Sequence, residues 1–218
     1  MTPYVKLKML VATLTWAIGV GKTSVLAELQ QLVLSDSSLE RFTWVFYLEP
    51  VEEWQAEGWL ADFNAEPGRT ALGFQMKVLL GQDEAMASWL DTDRSSDRPV
   101  IVITERSPVD GCQIFMPLSP TTKREKDLVN QFGGRLWKPN VNILLNCSTD
   151  TATERRNMRS RDEPSHAYAN LVHKQYNENL HLFDSIVENS ASPREAAAEI
   201  LTLVLQHACK KHPARHEL

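Results

Sequence analysis

The chain has 218 residues, a net charge of −5, 43% hydrophobic residues and 23% charged residues, which is the composition of a globular protein with a full apolar core. This acidic balance argues against a protein that binds nucleic acids or membrane surfaces mainly through its charge. Three scattered cysteines exclude a disulfide framework, and the longest apolar run near the start, residues 9–14, is too short to span a bilayer. We therefore expect a cytoplasmic protein with no nucleic-acid and no membrane partner.

Apolar runs alternate with amphipathic stretches along the chain. Predicted strands occupy residues 7–14, 43–48, 100–104 and 142–146, and predicted helices occupy residues 22–34, 72–90, 150–160, 166–188 and 193–208. This alternation predicts a mainly parallel sheet covered by helices on both faces, with ligands at the carboxyl ends of the strands. No linker-like segment divides the chain, so we expect one domain over residues 1–218 with a frayed tail from about residue 209.

A glycine-containing turn, Gly19-Val20-Gly21-Lys22-Thr23-Ser24, lies between the first predicted strand and the first predicted helix. In that context it is typical of a phosphate-binding loop, because glycines let backbone N–H groups approach phosphate oxygens. Lys22 would reach the β- and γ-phosphates of ATP, and Thr23 would offer its hydroxyl to Mg²⁺. The predicted fold is therefore a P-loop NTPase-like three-layer α/β/α arrangement.

The loop departs from the full motif at its start. The motif G-x-x-x-x-G-K-[ST] has a glycine five residues before the second one, and this chain has Trp16 there. A tryptophan disfavours positive φ, and its ring needs space. Two alternatives therefore stay open: a strand–turn–helix with an incidental Gly-Lys-Thr, and a phosphate loop that has lost its affinity for nucleotide.

Carboxylates follow two other predicted strands. Glu49 ends the second one, where a carboxylate can accept a proton from a substrate hydroxyl that attacks phosphorus. Glu105 ends the third one, where P-loop enzymes hold Mg²⁺, and Arg106 beside it can bind phosphate or orient a carboxylate. The alternatives are a turn or helix start at Glu49 and a structural ion pair at residues 105–106.

Three arginines, Arg155, Arg159 and Arg161, lie on one short segment, the first two one helical turn apart. Such a cluster suits a helical lid that closes over the transferring phosphate and neutralises its charge. The alternative is a solvated helix face paired with neighbouring acids.

Taken in order, these segments resemble the deoxynucleoside kinase family, which includes the thymidine kinase 2, deoxycytidine kinase and insect multisubstrate types. The resemblance spans roughly residues 8 to 185 and is specific as an ordered set. It rests on Ile18–Thr23, Glu49-Pro50-Val51 with Trp54, Glu66-Pro67 with Arg69, Phe74-Gln75, Glu105-Arg106-Ser107, Ile114-Phe115, and Arg155, Arg159 and Arg161 with Glu163.

The resemblance implies Mg²⁺-dependent transfer of phosphate from ATP to the 5′-hydroxyl of a deoxynucleoside, by a homodimer. It implies that Glu49 activates the 5′-hydroxyl, with Arg106 beside it. Lys22 and the three lid arginines would stabilise the phosphoryl charge, and Glu105 would serve the metal. One departure is Thr15, which stands where the family commonly has an acid.

On the substrate side, the resemblance implies that Gln75 pairs with the nucleobase and that Trp54 packs near it. Gly111 is small, which is similar to thymidine-accepting members, whereas deoxycytidine-preferring members have an acid there. Asn64 stands where the family usually has a tyrosine near the sugar 3′-hydroxyl. Glu163 is the one glutamate where the lid usually has a pair, so sugar recognition differs from the family pattern.

Two further functions stay open. A nucleoside-monophosphate kinase shares the fold and the lid but needs no base at position 49. A non-catalytic nucleotide-binding protein is motivated by Trp16. A GTPase is disfavoured, because no N-K-x-D guanine motif follows any predicted strand.

Overall fold

The computed structural model describes residues 9–158, 165–189 and 192–211. Its strands are β1 (Leu10–Trp16), β2 (Thr43–Tyr47), β3 (Val100–Glu105), β4 (Val141–Asn146) and β5 (Ser185–Glu188). They form one parallel sheet in the order β2-β3-β1-β4-β5.

Helices connect these strands as parallel crossovers require. They are α1 (Lys22–Ser35), α2 (Val51–Ala56), α3 (Trp59–Ala65), α4 (Pro67–Ser95), α5 (Met116–Leu118), α6 (Lys123–Gly133), α7 (Thr149–Asn157), α8 (His166–Glu178) and α9 (Pro193–Lys211). Shorter helical segments cover Ser37–Arg41, Asp110–Phe115 and Leu180–Leu182.

Strand β1 is buried along its whole length, and its alternating side chains enter two cores. Leu10, Leu14 and Trp16 belong to a large cluster that also contains buried residues of α1 and α9. Val11 belongs to a smaller cluster on the opposite side, with Trp89 of α4. Helices thus cover both faces of the sheet, which confirms the predicted α/β fold.

The register of the sheet brings the predicted site segments to one edge. Leu14 of β1 lies opposite Glu105 of β3, and Tyr47 of β2 lies opposite Thr104 of β3. The segments that follow β1, β2 and β3 therefore leave the sheet side by side, as the rule for parallel sheets predicts.

The prediction of one helix over residues 166–188 is wrong in its second half. Helix α8 ends at Glu178, and the chain then forms β5, whose Ile186 and Val187 lie opposite Leu144 and Leu145 of β4. The end of α8 was missed because apolar residues continue at helical spacing into this strand. The intervening segment Leu180–Leu182 is itself helical, so no change of pattern marks the boundary.

Several smaller boundaries also differ. Residues 209–211, expected to be frayed, belong to α9, whereas helices α2, α3, α5 and α6 were not predicted. Three of them have seven residues or fewer, too few to show a helical period, and α6 has few apolar residues among many charged ones. None of the helices in the described ranges is both long enough and apolar enough to cross a membrane.

Adjacent leucines in α4 test the position of the core. Leu79 is completely buried, whereas 48% of Leu80 is exposed. Leu79→Ala is expected to lower the free energy of unfolding by about 2–5 kcal/mol, because it opens a cavity among packed side chains. Leu80→Ala, the matched control, should change it by less than about 0.5 kcal/mol. Urea denaturation of both variants measures the difference, and equal losses would contradict this placement of α4.

Candidate active site

The phosphate loop joins β1 to α1, and its two glycines adopt a backbone conformation that other residues rarely take. Gly19 has φ +92° and Gly21 has φ +96°. A Cβ on Gly19 would collide with the carbonyl oxygen of Ala152 in α7. Position 19 therefore requires glycine both for its backbone angle and for the close approach of α7.

Trp16 is the last residue of β1 and not part of the turn itself. It lies opposite Leu145 of β4, and its side chain is 2% exposed within the large core cluster. Among the described non-glycine residues, positive φ occurs at Arg106 alone, so Trp16 carries no such backbone strain. The Nζ atom of Lys22 lies 5.3 Å from the centroid of the Trp16 ring, within the range of a cation–π contact.

Lys22 connects the loop with the two predicted carboxylates. Its Nζ lies 3.2 Å from Glu105 Oε1 and 3.9 Å from Glu49 Oε2. The other oxygen of Glu105 accepts a hydrogen bond from the backbone N–H of Glu49 at 2.6 Å. Burial raises the pKa of the Glu105 carboxyl, and the charge of Lys22 offsets this only in part.

Arg106 and Glu49 form the tightest ion pair of the site. Arg106 Nη1 donates to both carboxylate oxygens of Glu49, at 2.8 and 2.7 Å. Burial is the largest single influence on Arg106 and opposes its charge, but the nearby negative groups together, Glu49 foremost, outweigh it, and the pKa of the guanidinium is raised. Arg106 has φ +59°, a conformation that costs on the order of 1–3 kcal/mol and is typical of functional sites.

Arg155 of α7 binds the phosphate loop directly. Its guanidinium donates to the carbonyl oxygens of Val20 at 2.7 Å and Asn189 at 3.0 Å, and the Asn189 amide donates to Val20 at 2.7 Å. The other predicted lid residues, Arg159, Arg161 and Glu163, lie outside the described residues. Arg155, the first of the three predicted lid arginines, therefore lies against the phosphate loop.

The predicted nucleobase residues are assembled on α2 and α4. Trp54 is buried, and its ring meets that of Phe74 edge-on with centroids 5.4 Å apart. Gln75 is also buried, and its Oε1 would lie 3.4 Å from a Cβ added to Gly111. Asn64, by contrast, is exposed on α3, and its side chain makes no hydrogen bond or ion pair with other described residues.

Two buried residues of the site were not predicted. Asp110 accepts hydrogen bonds from Thr15, Ser107 and Tyr176, so a carboxylate lies next to position 15 although residue 15 is not acidic. Its sequence signal is the Ser-x-x-Asp spacing of residues 107–110, typical of a helix start. Asn189 follows β5, and it was missed because residues 166–188 were predicted as a helix, so no strand end was expected there.

The oxygen-bearing side chains of the candidate site suit Mg²⁺ that is bound together with nucleotide phosphates better than a metal ion held by protein groups alone. In the described ranges, no three His, Cys, Asp or Glu side chains are grouped closely enough to hold a metal ion. Mg²⁺ in phosphotransferases keeps waters and takes only one or two protein ligands beside the phosphates. Thr23, exposed at the first turn of α1, and Glu105 would supply that number.

Comparison with known proteins gives two findings. The profile of a family described as deoxynucleoside kinase matches residues 15–194. A deoxyadenosine kinase from M. mycoides, solved with the products dCMP and a flexible dCDP bound, has a similar structure, with a TM-score of 0.68 and 18% sequence identity over 90% of this chain and 100% of that one. At that identity the likeness shows the fold alone. The search of curated proteins gave no match.

Proposed function

Because the chain belongs to the deoxynucleoside kinase family, we propose that it transfers the γ-phosphoryl group of ATP to the 5′-hydroxyl of a deoxynucleoside. One observation carries this proposal: the buried carboxylate of Glu49 accepts two hydrogen bonds from Arg106 and lies 3.9 Å from the ammonium of Lys22 in the phosphate loop. A general base beside a phosphate-binding cation is what this reaction needs.

In the proposed reaction, Glu49 accepts the proton of the 5′-hydroxyl while the hydroxyl oxygen forms a bond to the γ-phosphorus of ATP. The bond between the γ-phosphorus and the oxygen that bridges it to the β-phosphate breaks, and ADP leaves. Arg106 keeps the Glu49 carboxylate oriented. Lys22, the loop N–H groups and the lid arginines stabilise the phosphoryl charge. Thr23 and Glu105 would hold Mg²⁺, which neutralises phosphate charge when it is bound.

We propose a pyrimidine deoxynucleoside, with thymidine preferred, as the acceptor. Gln75 would pair with the base, since a buried amide rejects ligands that leave it unpaired. A Cβ at position 111 would lie 3.4 Å from both Gln75 Oε1 and the Leu79 side chain, so the glycine lets Gln75 pack close to the backbone, and Trp54 would close the pocket. Asn64 and Glu163 would contact the sugar. A homodimer in the cytoplasm is proposed from the family resemblance, and analytical ultracentrifugation measures the oligomeric state.

A substrate panel tests the proposal. With ATP and Mg²⁺, the purified protein is expected to phosphorylate thymidine with a kcat/KM at least about tenfold above that for deoxyadenosine and deoxyguanosine. Chromatography of the monophosphate product measures this. The absence of product from thymidine, deoxycytidine, deoxyadenosine and deoxyguanosine alike would reject the function.

The same panel separates the remaining alternatives. A best rate with deoxyadenosine, which the M. mycoides neighbour is named for, would change the base preference but keep the reaction. Faster conversion of thymidine monophosphate than of thymidine would indicate a nucleoside-monophosphate kinase. ATP binding in a thermal-shift assay without any turnover would indicate a nucleotide-binding protein.

A further inference from the structure

Arg106 combines an unfavourable backbone conformation with a central position in the site. With φ +59° it lies in the left-handed region, which an arginine keeps only when its surroundings hold it there. Its side chain is held by Glu49, and its backbone N–H donates to the carbonyl oxygen of Leu14 at 2.9 Å. These contacts hold Arg106 itself but not the turn that follows it.

Asp110 closes that turn. Its Oδ2 accepts hydrogen bonds from the backbone N–H of Ser107 at 2.8 Å and from the Ser107 hydroxyl at 3.1 Å. In return, the backbone N–H of Asp110 donates to the carbonyl oxygen of Ser107 at 3.0 Å. These reciprocal bonds fix the residue immediately after Arg106.

The second oxygen of the same carboxylate reaches two other parts of the fold. Oδ1 of Asp110 accepts hydrogen bonds from the hydroxyl of Thr15 and, at 3.0 Å, from the hydroxyl of Tyr176. Thr15 lies in β1 just before the phosphate loop, and Tyr176 lies on α8. Asp110 is 1% exposed, so one buried carboxylate joins the Arg106 turn to β1 and α8.

We propose that Asp110 is a positioning residue for the phosphoryl transfer: it holds the Ser107 turn so that Arg106 keeps its left-handed conformation and presents Glu49 to the acceptor hydroxyl. The proposal rests on the proposed function. Asp110 is expected to govern kcat and to have little influence on KM, because it is enclosed by protein groups and acts through Arg106.

Two substitutions at Asp110 test the hydrogen bonds of the turn. Asp110→Ala should lower kcat about 10- to 100-fold and change the KM for deoxynucleoside less than about threefold. Asp110→Asn should restore kcat to within about fivefold of the native value, because its carbonyl oxygen can accept from Ser107 while the hydroxyls of Thr15 and Tyr176 accept from its amide. If Asp110→Ala does not fold, Asp110→Ser replaces it, since its hydroxyl still offers one acceptor.

Tyr176→Phe is the matched control, because it removes a hydrogen bond from the same carboxylate and leaves the Ser107 turn intact. Its kcat should stay within about threefold of native. If the kcat of Tyr176→Phe falls as far as that of Asp110→Ala, the Asp110 carboxylate merely stabilises the fold and does not position Arg106, and the proposal is overturned.

A double-mutant cycle with Arg106→Lys tests the route of the effect. If Asp110 acts through Arg106, Asp110→Ala should reduce kcat less than about threefold further in the Arg106→Lys background. Losses that multiply would overturn the proposal. An inactive native protein would reject the proposed function, whereas an active native protein with an equally active Asp110→Ala variant would reject only this inference.

A crystal structure of the Asp110→Ala or Asp110→Ser protein gives a readout that does not depend on activity. Arg106 is expected to leave positive φ or to lose a hydrogen bond to Glu49. Retention of both features overturns the positioning role whether or not the native chain phosphorylates a deoxynucleoside.

Discussion

Glutamine in place of Glu49 is expected to lower kcat for deoxynucleoside phosphorylation by about 10²- to 10⁴-fold, the range that a general base contributes. A neutral amide cannot take the proton of the attacking hydroxyl. The change also leaves the half-buried guanidinium of Arg106 without an anionic partner. In the native protein, the Glu49 carboxylate accepts two hydrogen bonds from it, at 2.7 and 2.8 Å. Steady-state kinetics with saturating ATP measure the loss, and circular dichroism verifies that the variant is folded.

Glu52→Gln is the matched control for this experiment. It neutralises an exposed carboxylate on α2, three residues away, and should leave kcat within about twofold of native. A Glu49→Gln enzyme that retained most of its activity would contradict the role of Glu49 as base. If that activity were highest with a nucleoside monophosphate, the phosphate acceptor would need no deprotonation by residue 49, and the monophosphate kinase would be the better assignment.

The sequence was sufficient to predict four of the five strands and the edge of the sheet where the candidate site lies, because both follow from short-range patterns. Continuous β-branched runs such as residues 100–104 are typical of buried parallel strands. The polar residues that follow such runs must meet at the carboxyl edge, whatever the details of the turns. Glu49, Glu105 and Arg106 were placed together by this argument. In the structure Glu49 contacts both of the others: its carboxylate accepts hydrogen bonds from Arg106, and its backbone N–H donates to the Glu105 carboxylate.

Contacts between distant segments could not be predicted in the same way. That Arg155 binds phosphate stays a prediction, whereas the hydrogen bonds of its guanidinium to the carbonyl oxygens of Val20 and Asn189 were not predicted. That arrangement depends on where α7 and β5 pack against the loop, and no local pattern encodes it. Asp110 is a similar case, since its partners Thr15 and Tyr176 are 95 and 66 residues away.

Restoring glycine at position 16 is expected to destabilise the protein by about 3.5–6 kcal/mol and to leave kcat no higher than native. Removing a buried tryptophan costs about 3–5 kcal/mol, and glycine within a strand adds about 0.5–1 kcal/mol. Trp16 is 2% exposed at the end of β1, in the same core cluster as Leu14 and Leu145. The variant also loses the aromatic face that lies 5.3 Å from the Lys22 ammonium. Urea denaturation and steady-state kinetics measure the two effects.

Trp16→Phe separates the packing of position 16 from its effect on the loop. It keeps an aromatic face for Lys22 and much of the volume, so it should cost about 1–3 kcal/mol and hold kcat within about threefold of native. A folded Trp16→Gly protein that turns over faster than native would instead show that the tryptophan obstructs the phosphate loop, and would favour a nucleotide-binding role for the native chain. The two explanations predict opposite results for one variant: a core residue gives a loss of stability without a gain in rate, whereas an obstruction gives a gain in rate. Because a rate comparison is valid only between folded proteins, both variants should be assayed below the unfolding transition of the glycine variant.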